Sequence, residues 1–106
     1  MPKYLITASY TDEGVKGLLK AGGTSRKTAV EKMIAEMGGK LEAFYFAFGD
    51  YDVYAISDLP DNVSAAALAL VINASGLVTL SSTLLLTPAE VDEATKKTVH
   101  YRPPGS

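Results

Sequence analysis

The residues best suited to chemistry gather at one short turn, Gly49-Asp50-Tyr51-Asp52. A partly buried carboxylate at the mouth of a cavity can act as a general base, and Asp52 is the candidate for that role. An ordinary hairpin accounts for the glycine, for Asp50 as a turn residue and for Tyr51 as a core residue. Asp52 is therefore the member of the turn that local structure leaves unexplained.

A second candidate group consists of three further tyrosines, Tyr10, Tyr45 and Tyr54. A tyrosine combines apolar area with one hydroxyl, which suits a small aromatic or carbonyl ligand. Packing at a subunit interface explains these tyrosines equally well. The binding site predicted from the sequence consists of Tyr10, Tyr45, Gly49, Tyr51, Asp52 and Tyr54, and the identity of any catalytic residue stays open.

Composition excludes several other kinds of site. The chain has 106 residues, a net charge of −2 and no cysteine, which excludes disulfides, thiol catalysis, iron–sulfur clusters and cysteine-ligated zinc. The single histidine, His100, lies near the end of the chain with no supporting acid beside it, so we expect neither a metal nor a cofactor. The acidic balance, without a basic patch, disfavours nucleic acid and anionic membrane as partners.

No segment predicts export or membrane insertion. The amino terminus enters a strand-like pattern directly, without the apolar stretch and cleavage site of a signal peptide. The longest apolar-leaning stretch, residues 63–72, is about half of a bilayer span and is expected to form a buried helix. The expected location is therefore cytoplasmic.

A glycine-rich segment, residues 11–23, predicts a loop with at most one helical turn, because it contains four glycines around a short apolar cluster. Its end resembles a phosphate-binding loop, but glycine stands where that loop needs its lysine, so no nucleotide site is expected. The backbone N–H groups of residues 22–25, with Arg26 and Lys27 close by, could hold an anion at a helix start. An ordinary helix cap explains the same residues.

Hydrophobic spacing predicts the elements that position these groups. Residues 3–10 alternate as a first strand, with one face formed by Tyr4, Ile6, Ala8 and Tyr10. A helix follows, capped by Thr24 or Ser25 and ended at Gly38-Gly39, with an apolar stripe formed by Val30, Met33, Ile34 and Met37. Residues 63–74 predict a second helix, 77–86 a fourth strand and 87–94 a short helix with a capping box.

Two aromatic runs, residues 41–48 and 51–57, are separated only by Gly49-Asp50 and predict a β-hairpin with a type II′ turn, since glycine permits the positive φ that this turn requires. Counting back from the turn places Tyr45 opposite Tyr54. The face expected in the core carries Phe44, Phe46, Phe48, Tyr51, Val53 and Ala55. The other face carries Ala43, Tyr45, Ala47, Asp52, Tyr54 and Ile56.

The element order β-α-β-β-α-β predicts an α+β, ferredoxin-like fold with a four-stranded antiparallel sheet and both helices on one face. The uncovered face would measure roughly 400–500 Å², as large as the apolar patches that monomers usually expose. We therefore expect two sheets to pair face to face into an α/β barrel with a cavity or wet seam between them. A solvated face with a few tolerated tyrosines is the alternative.

Four short strings resemble the GYD domain family: Tyr-Thr-Asp-Glu-Gly at 10–14, Glu-Met-Gly-Gly-Lys-Leu at 36–41, Ala-Phe-Tyr at 43–45 and Gly-Asp-Tyr-Asp-Val-Tyr at 49–54. Gly49, Tyr51 and Asp52 would supply its Gly-x-Tyr-Asp signature, and the likeness extends from about residue 3 to 92. The resemblance implies a ferredoxin-like fold of the dimeric α/β-barrel group, in a family largely without an assigned activity. One domain over 1–96 and a flexible tail over 97–106 are expected.

These observations leave three functions open. The first is a homo-oligomeric small-molecule binding protein, with a small aromatic or carbonyl ligand near Asp52, Tyr45 and Tyr54. The second is a cofactor-independent oxygenase or isomerase of the dimeric α/β-barrel type, with Asp52 as base. The third is a purely structural assembly module. The partner expected in each case is a second copy of the chain, in a dimer or a larger ring.

Overall fold

One antiparallel sheet, covered by helices on one side, organises the protein. The computed structural model describes residues 1–106. Its elements are β1 Lys3–Tyr10, α1 Asp12–Ala21, α2 Gly23–Glu36, β2 Lys40–Phe46, β3 Val53–Asp58, α3 Asn62–Ala74, β4 Val78–Leu85 and α4 Pro88–Thr95. The strands lie in the order β2-β3-β1-β4, and all neighbours are antiparallel. The predicted α+β fold with a four-stranded sheet is confirmed, while the pairing into a barrel stays a prediction.

The segment expected to be a loop, residues 11–23, is instead the ten-residue helix α1, so that prediction is wrong. Thr11 caps this helix by accepting a hydrogen bond from the Gly14 N–H, and acidic residues occupy its first turn. Gly14 lies so close to Leu77, the residue before β4, that a Cβ atom there would be 2.0 Å from the Leu77 carbonyl oxygen. Close packing therefore requires glycine at this position, although glycine has a low helix propensity.

The apolar stripe predicted for α2 is confirmed, since Ile34 is fully buried and Val30, Met33 and Met37 pack against the same core. The predicted cap is wrong: α2 begins at Gly23, and no side chain caps it. Its end agrees with the prediction, because Gly38 has φ +84°, in the left-handed region that glycine reaches at little cost.

The hairpin has the predicted register but a wider turn. Tyr45 lies opposite Tyr54, and Phe46 lies opposite Val53. The positive φ falls on Phe48 (+57°) and Gly49 has none, so the predicted type II′ turn is wrong. β3 begins only at Val53, because the preceding residue is engaged with β1. The six-residue loop leaves Phe48 63% exposed and keeps Tyr51 out of the core.

The core lies between the sheet and the helices. Its main cluster consists of Tyr4, Ile6, Ile34, Ala55, Leu59, Ala65 and Leu68. α3, expected to be a buried helix, buries only Ala65 and Leu68. Its opposite side is apolar but exposed, because no further layer of the chain covers it; Leu70, for example, is 71% exposed.

The other side of the sheet, here called the open face, is covered by no element of the chain. Residues of the two central strands, such as Thr7 and Ile56, are half-buried by their neighbours, whereas Tyr45 on the edge strand β2 is 71% exposed. The hydroxyls of Thr7 on β1 and Ser81 on the neighbouring strand β4 lie 2.8 Å apart. The predicted polar and aromatic character of this face is therefore present on the surface of the single chain.

The carboxyl-terminal part of the chain extends away from the body. α4 has the predicted capping box between Thr87 and Glu90, yet none of its residues is buried, and every residue from 86 to 106 is exposed. The radius of gyration is 17.0 Å, against about 13 Å for a compact domain of this length. This segment therefore adds nothing to the core. No helix of the protein is both long and apolar enough to cross a bilayer.

Candidate functional site

A cavity of about 430 Å³ opens on the helix side of the sheet, between α1, α2, α3 and the adjoining ends of β1 and β4. It exists because the helices present small residues to one another: Gly14, Gly17 and Ala21 on α1 and Ala29 on α2. No heavy atom lies within 4 Å of the position that a Cβ at Gly17 would occupy, so this stretch of the wall is open.

Tyr10 and Arg26 are the distinctive polar groups of this cavity. Burial raises the pKa of the Tyr10 hydroxyl, the nearby Arg26 guanidinium acts in the opposite direction, and the Asp52 carboxylate adds to the rise. The phenol therefore stays protonated at neutral pH and can donate a hydrogen bond. Both residues also line a small void of about 40 Å³ in the core, so they stand between the cavity and the packed interior.

Two other polar groups of the cavity, on Glu13 and Ser75, are engaged by neighbours in the chain. The Glu13 carboxylate lies at the surface, 3.2 Å from the Lys16 ammonium. The Ser75 hydroxyl donates to the carbonyl of Ile72 at 2.6 Å and accepts from the Leu77 N–H at 3.2 Å. In contrast, no carboxylate lies within 4.0 Å of the Arg26 guanidinium. Arg26 is the charged group of the cavity that has no ionic partner.

Asp52 has a structural role that the sequence did not reveal. Its carboxylate accepts a hydrogen bond from the Tyr10 N–H at 2.8 Å, and its own N–H donates to the carbonyl of Ala8 at 2.8 Å. These bonds extend the contact between β1 and the hairpin beyond the last ladder pair, Ala8–Val53. Asp52 does not line the cavity, but it fixes the backbone of Tyr10, which does.

The remaining predicted site residues lie away from the cavity. Tyr45 and Tyr54 are cross-strand neighbours on the open face, and the Tyr51 ring meets the Tyr54 ring edge-on at 5.8 Å. Gly49 lies exposed at the tip of the hairpin. The structure thus brings three tyrosines together on one side of the sheet and leaves Tyr10 on the other.

Sequence reasoning missed the cavity because it missed α1. The signal for this helix was present: Thr11 followed by two acids, leucines at helical spacing and Lys20 near the end. The anion site considered near residues 22–25 lies at the edge of this cavity, since Ser25 and Arg26 line its wall. The structure places Arg26 in the cavity and Lys27 on the exposed surface outside it.

These features define an α+β domain with one uncovered sheet face and a cavity of ligand size on the other side. The chain belongs to the GYD domain family, whose model matches residues 4–95 of the 106. The resemblance expected from the sequence is therefore confirmed over nearly the whole folded part. No curated protein and no solved structure matches the chain.

Proposed function

We propose that this protein is a homo-oligomeric small-molecule binding protein whose ligand occupies the cavity between α1, α2 and α3. The observation that carries the proposal is the cavity itself. Its volume of about 430 Å³ falls in the range of ligand pockets, roughly 300–1,000 Å³. Its wall is mainly apolar with a few polar groups, which is the usual composition of such a site.

Binding is better supported than catalysis. The residue predicted as a base, Asp52, accepts a main-chain hydrogen bond and lies outside the cavity wall. A general base must reach the proton that it removes, and the cavity offers Asp52 no such approach. We therefore assign Asp52 to positioning Tyr10 and propose no reaction.

Two substitutions of different size at Gly17 test this site. A screen of small aromatic and aliphatic carbonyl compounds by ligand-observed NMR should give hits with the wild-type protein. Gly17→Phe should abolish these hits, because its ring would occupy space at the cavity wall that a ligand needs. Gly17→Ala is the matched control at the same position and should keep them. Hits that survive Gly17→Phe, or the absence of any hit with the wild type, would refute the proposal.

The open face supports self-association as the second part of the proposal. Two such faces would bury roughly 800–1,000 Å² together, which is the size of a weak interface and below the roughly 1,200 Å² of stable ones. The pairing would cover Tyr45 and Tyr54, where the ligand was expected from the sequence, and would make a seam there. The cavity on the helix side remains accessible in such a pair, so the two parts of the proposal are compatible.

Two variants of equal exposure test which face associates. Tyr45 on the open face and Leu70 on the outer side of α3 are each 71% exposed. Tyr45→Lys should dissociate the oligomer in sedimentation velocity runs at micromolar concentration, since it would place a desolvated charge between the two paired faces. Leu70→Lys should leave the oligomer intact. A wild-type protein that sediments as a single subunit, or one that only Leu70→Lys dissociates, would contradict pairing through the open face.

A further inference from the structure

We propose that the ligand of this cavity is a small organic carboxylate whose anionic group pairs with Arg26 and whose apolar body packs between α1 and α3. This inference rests on the proposed function and adds the chemical class of the ligand. The charge of the Arg26 guanidinium has no ionic partner in the chain. Arg26 is half-buried in the cavity wall, and no carboxylate of the chain lies within 4.0 Å of its guanidinium.

The charges around the cavity favour an anion over a cation. Glu13 is the one acid of the wall, and Lys16 offsets its charge at the surface. Asp52 lies nearby, but its carboxylate is bonded to the Tyr10 N–H and forms no ion pair with Arg26. The guanidinium is therefore the charge of the cavity wall that has no ionic partner, and a partly desolvated charge gains most from a counter-ion.

The donors at this end of the cavity fit the acceptor geometry of a carboxylate. A guanidinium presents paired N–H groups that match the two oxygens of a carboxylate. The protonated Tyr10 hydroxyl beside it can supply a further hydrogen bond. A neutral amide carries one acceptor oxygen and would place its NH₂ group against these donors, so it satisfies the site less well.

The rest of the wall fits an apolar body. Leu18 on α1, Val71 and Ile72 on α3 and Val78 on β4 line it. A single arginine without a second basic residue in the wall matches a monoanion better than a phosphate ester, which carries nearly two charges at neutral pH. These observations together favour a carboxylate with a short aliphatic or aromatic body.

Matched acid and amide pairs test the assignment. Benzoate with benzamide, and hexanoate with hexanamide, would be titrated into the full chain by two-dimensional amide NMR, with phenyl phosphate as a third headgroup. We expect the acid of at least one pair to bind about tenfold more tightly than its amide, the effect of one charge-assisted pairing. Arg26→Gln should bring that ratio to about one, whereas Arg26→Lys should keep part of it.

Lys27→Gln is the control, because it removes the same charge from the next residue of α2, which is exposed and outside the cavity wall. It should leave the ratio unchanged, and unperturbed NMR spectra would show that both variants fold. An amide that binds as tightly as its acid, phenyl phosphate that binds more tightly than benzoate, or an equal loss in Lys27→Gln would overturn the carboxylate while small-molecule binding stands. If no compound of any pair binds, the proposed function fails as well.

Discussion

Two glycines of α1 should respond in opposite directions to the same substitution. Gly14 and Gly17 are one helical turn apart, and alanine gains roughly 0.5–1 kcal/mol over glycine in a helix interior. At Gly17 a new Cβ meets no heavy atom within 4 Å. Gly17→Ala should therefore raise the free energy of unfolding by about 0.5–1 kcal/mol.

At Gly14 the same methyl group meets the backbone of Leu77, immediately before β4. The Cβ would lie 2.0 Å from the Leu77 oxygen and 3.2 Å from Cδ1 of Tyr10. Relief requires α1 to move away from β4, and such overpacking costs about 1–3 kcal/mol. The movement also strains the 3.0 Å hydrogen bond from the Thr11 N–H to the Leu77 carbonyl, worth about 1 kcal/mol. After the gain in helix propensity, Gly14→Ala should lose about 1–3 kcal/mol.

Thermal and urea unfolding followed by circular dichroism, at one fixed protein concentration, measures both variants. The expected difference of about 1.5 kcal/mol or more between them corresponds to a gap of at least about 6 °C in Tm for a domain of this size. Equal stabilities, or a Gly14→Ala variant more stable than the wild type, would show that the close approach of α1 to β4 does not hold the helix. The contact between Gly14 and Leu77 would then not set the position of α1 at the cavity.

Three further predictions follow from local contacts. Asp52→Ala should cost about 1–2 kcal/mol in urea unfolding because it leaves the Tyr10 N–H without its acceptor, whereas Asp52→Asn should lose much less; equal losses would contradict the hydrogen bond. The Ser64 N–H lowers the pKa of Asp61 below its ordinary value of 3.8 by bonding its carboxylate, so this stabilisation is present above that value and disappears as the pH falls through the folded-state pKa. Asp61→Asn, which keeps the cap without the charge, should flatten the acid limb of the stability profile, and an unchanged limb would count against this role. Deletion of residues 87–106 should leave Tm within about 2 °C, because the segment buries nothing in its own chain; a large, concentration-dependent fall would instead show that it contacts a second copy.

The strands were predictable because a period of two leaves one face apolar and fixes the register. Tyr4, Ile6 and Ala8 are buried as expected, and the hairpin pairs Tyr45 with Tyr54. The capping box at Thr87 was also predictable, because its partners are neighbours in the chain, whereas the side-chain cap expected for α2 is not present. The turn at residues 47–52 was not, because Asp52 bonds to Ala8 and Tyr10 of β1 as well as to Ala47 of its own hairpin.

The candidate site was only partly predictable. Tyr10 was singled out for its own chemistry and does line the cavity, whereas Arg26 appeared only as one of two basic residues near a helix start. Nothing local distinguishes Arg26 from Lys27. The packing of α1 and α2 decides which of the two faces the cavity.

The amino-acid sequence by itself determined the four strands, the helices α2, α3 and α4, the register of the hairpin and the membership of a family, since these depend on side-chain periodicity and on contacts between near neighbours. The tertiary structure alone decided where empty space remains. That depends on the distance at which α1 rests on the sheet, and the contact between Gly14 and the Leu77 carbonyl, 63 residues apart in the chain, sets this distance. A cavity is a property of what several elements fail to fill, and no single segment encodes it.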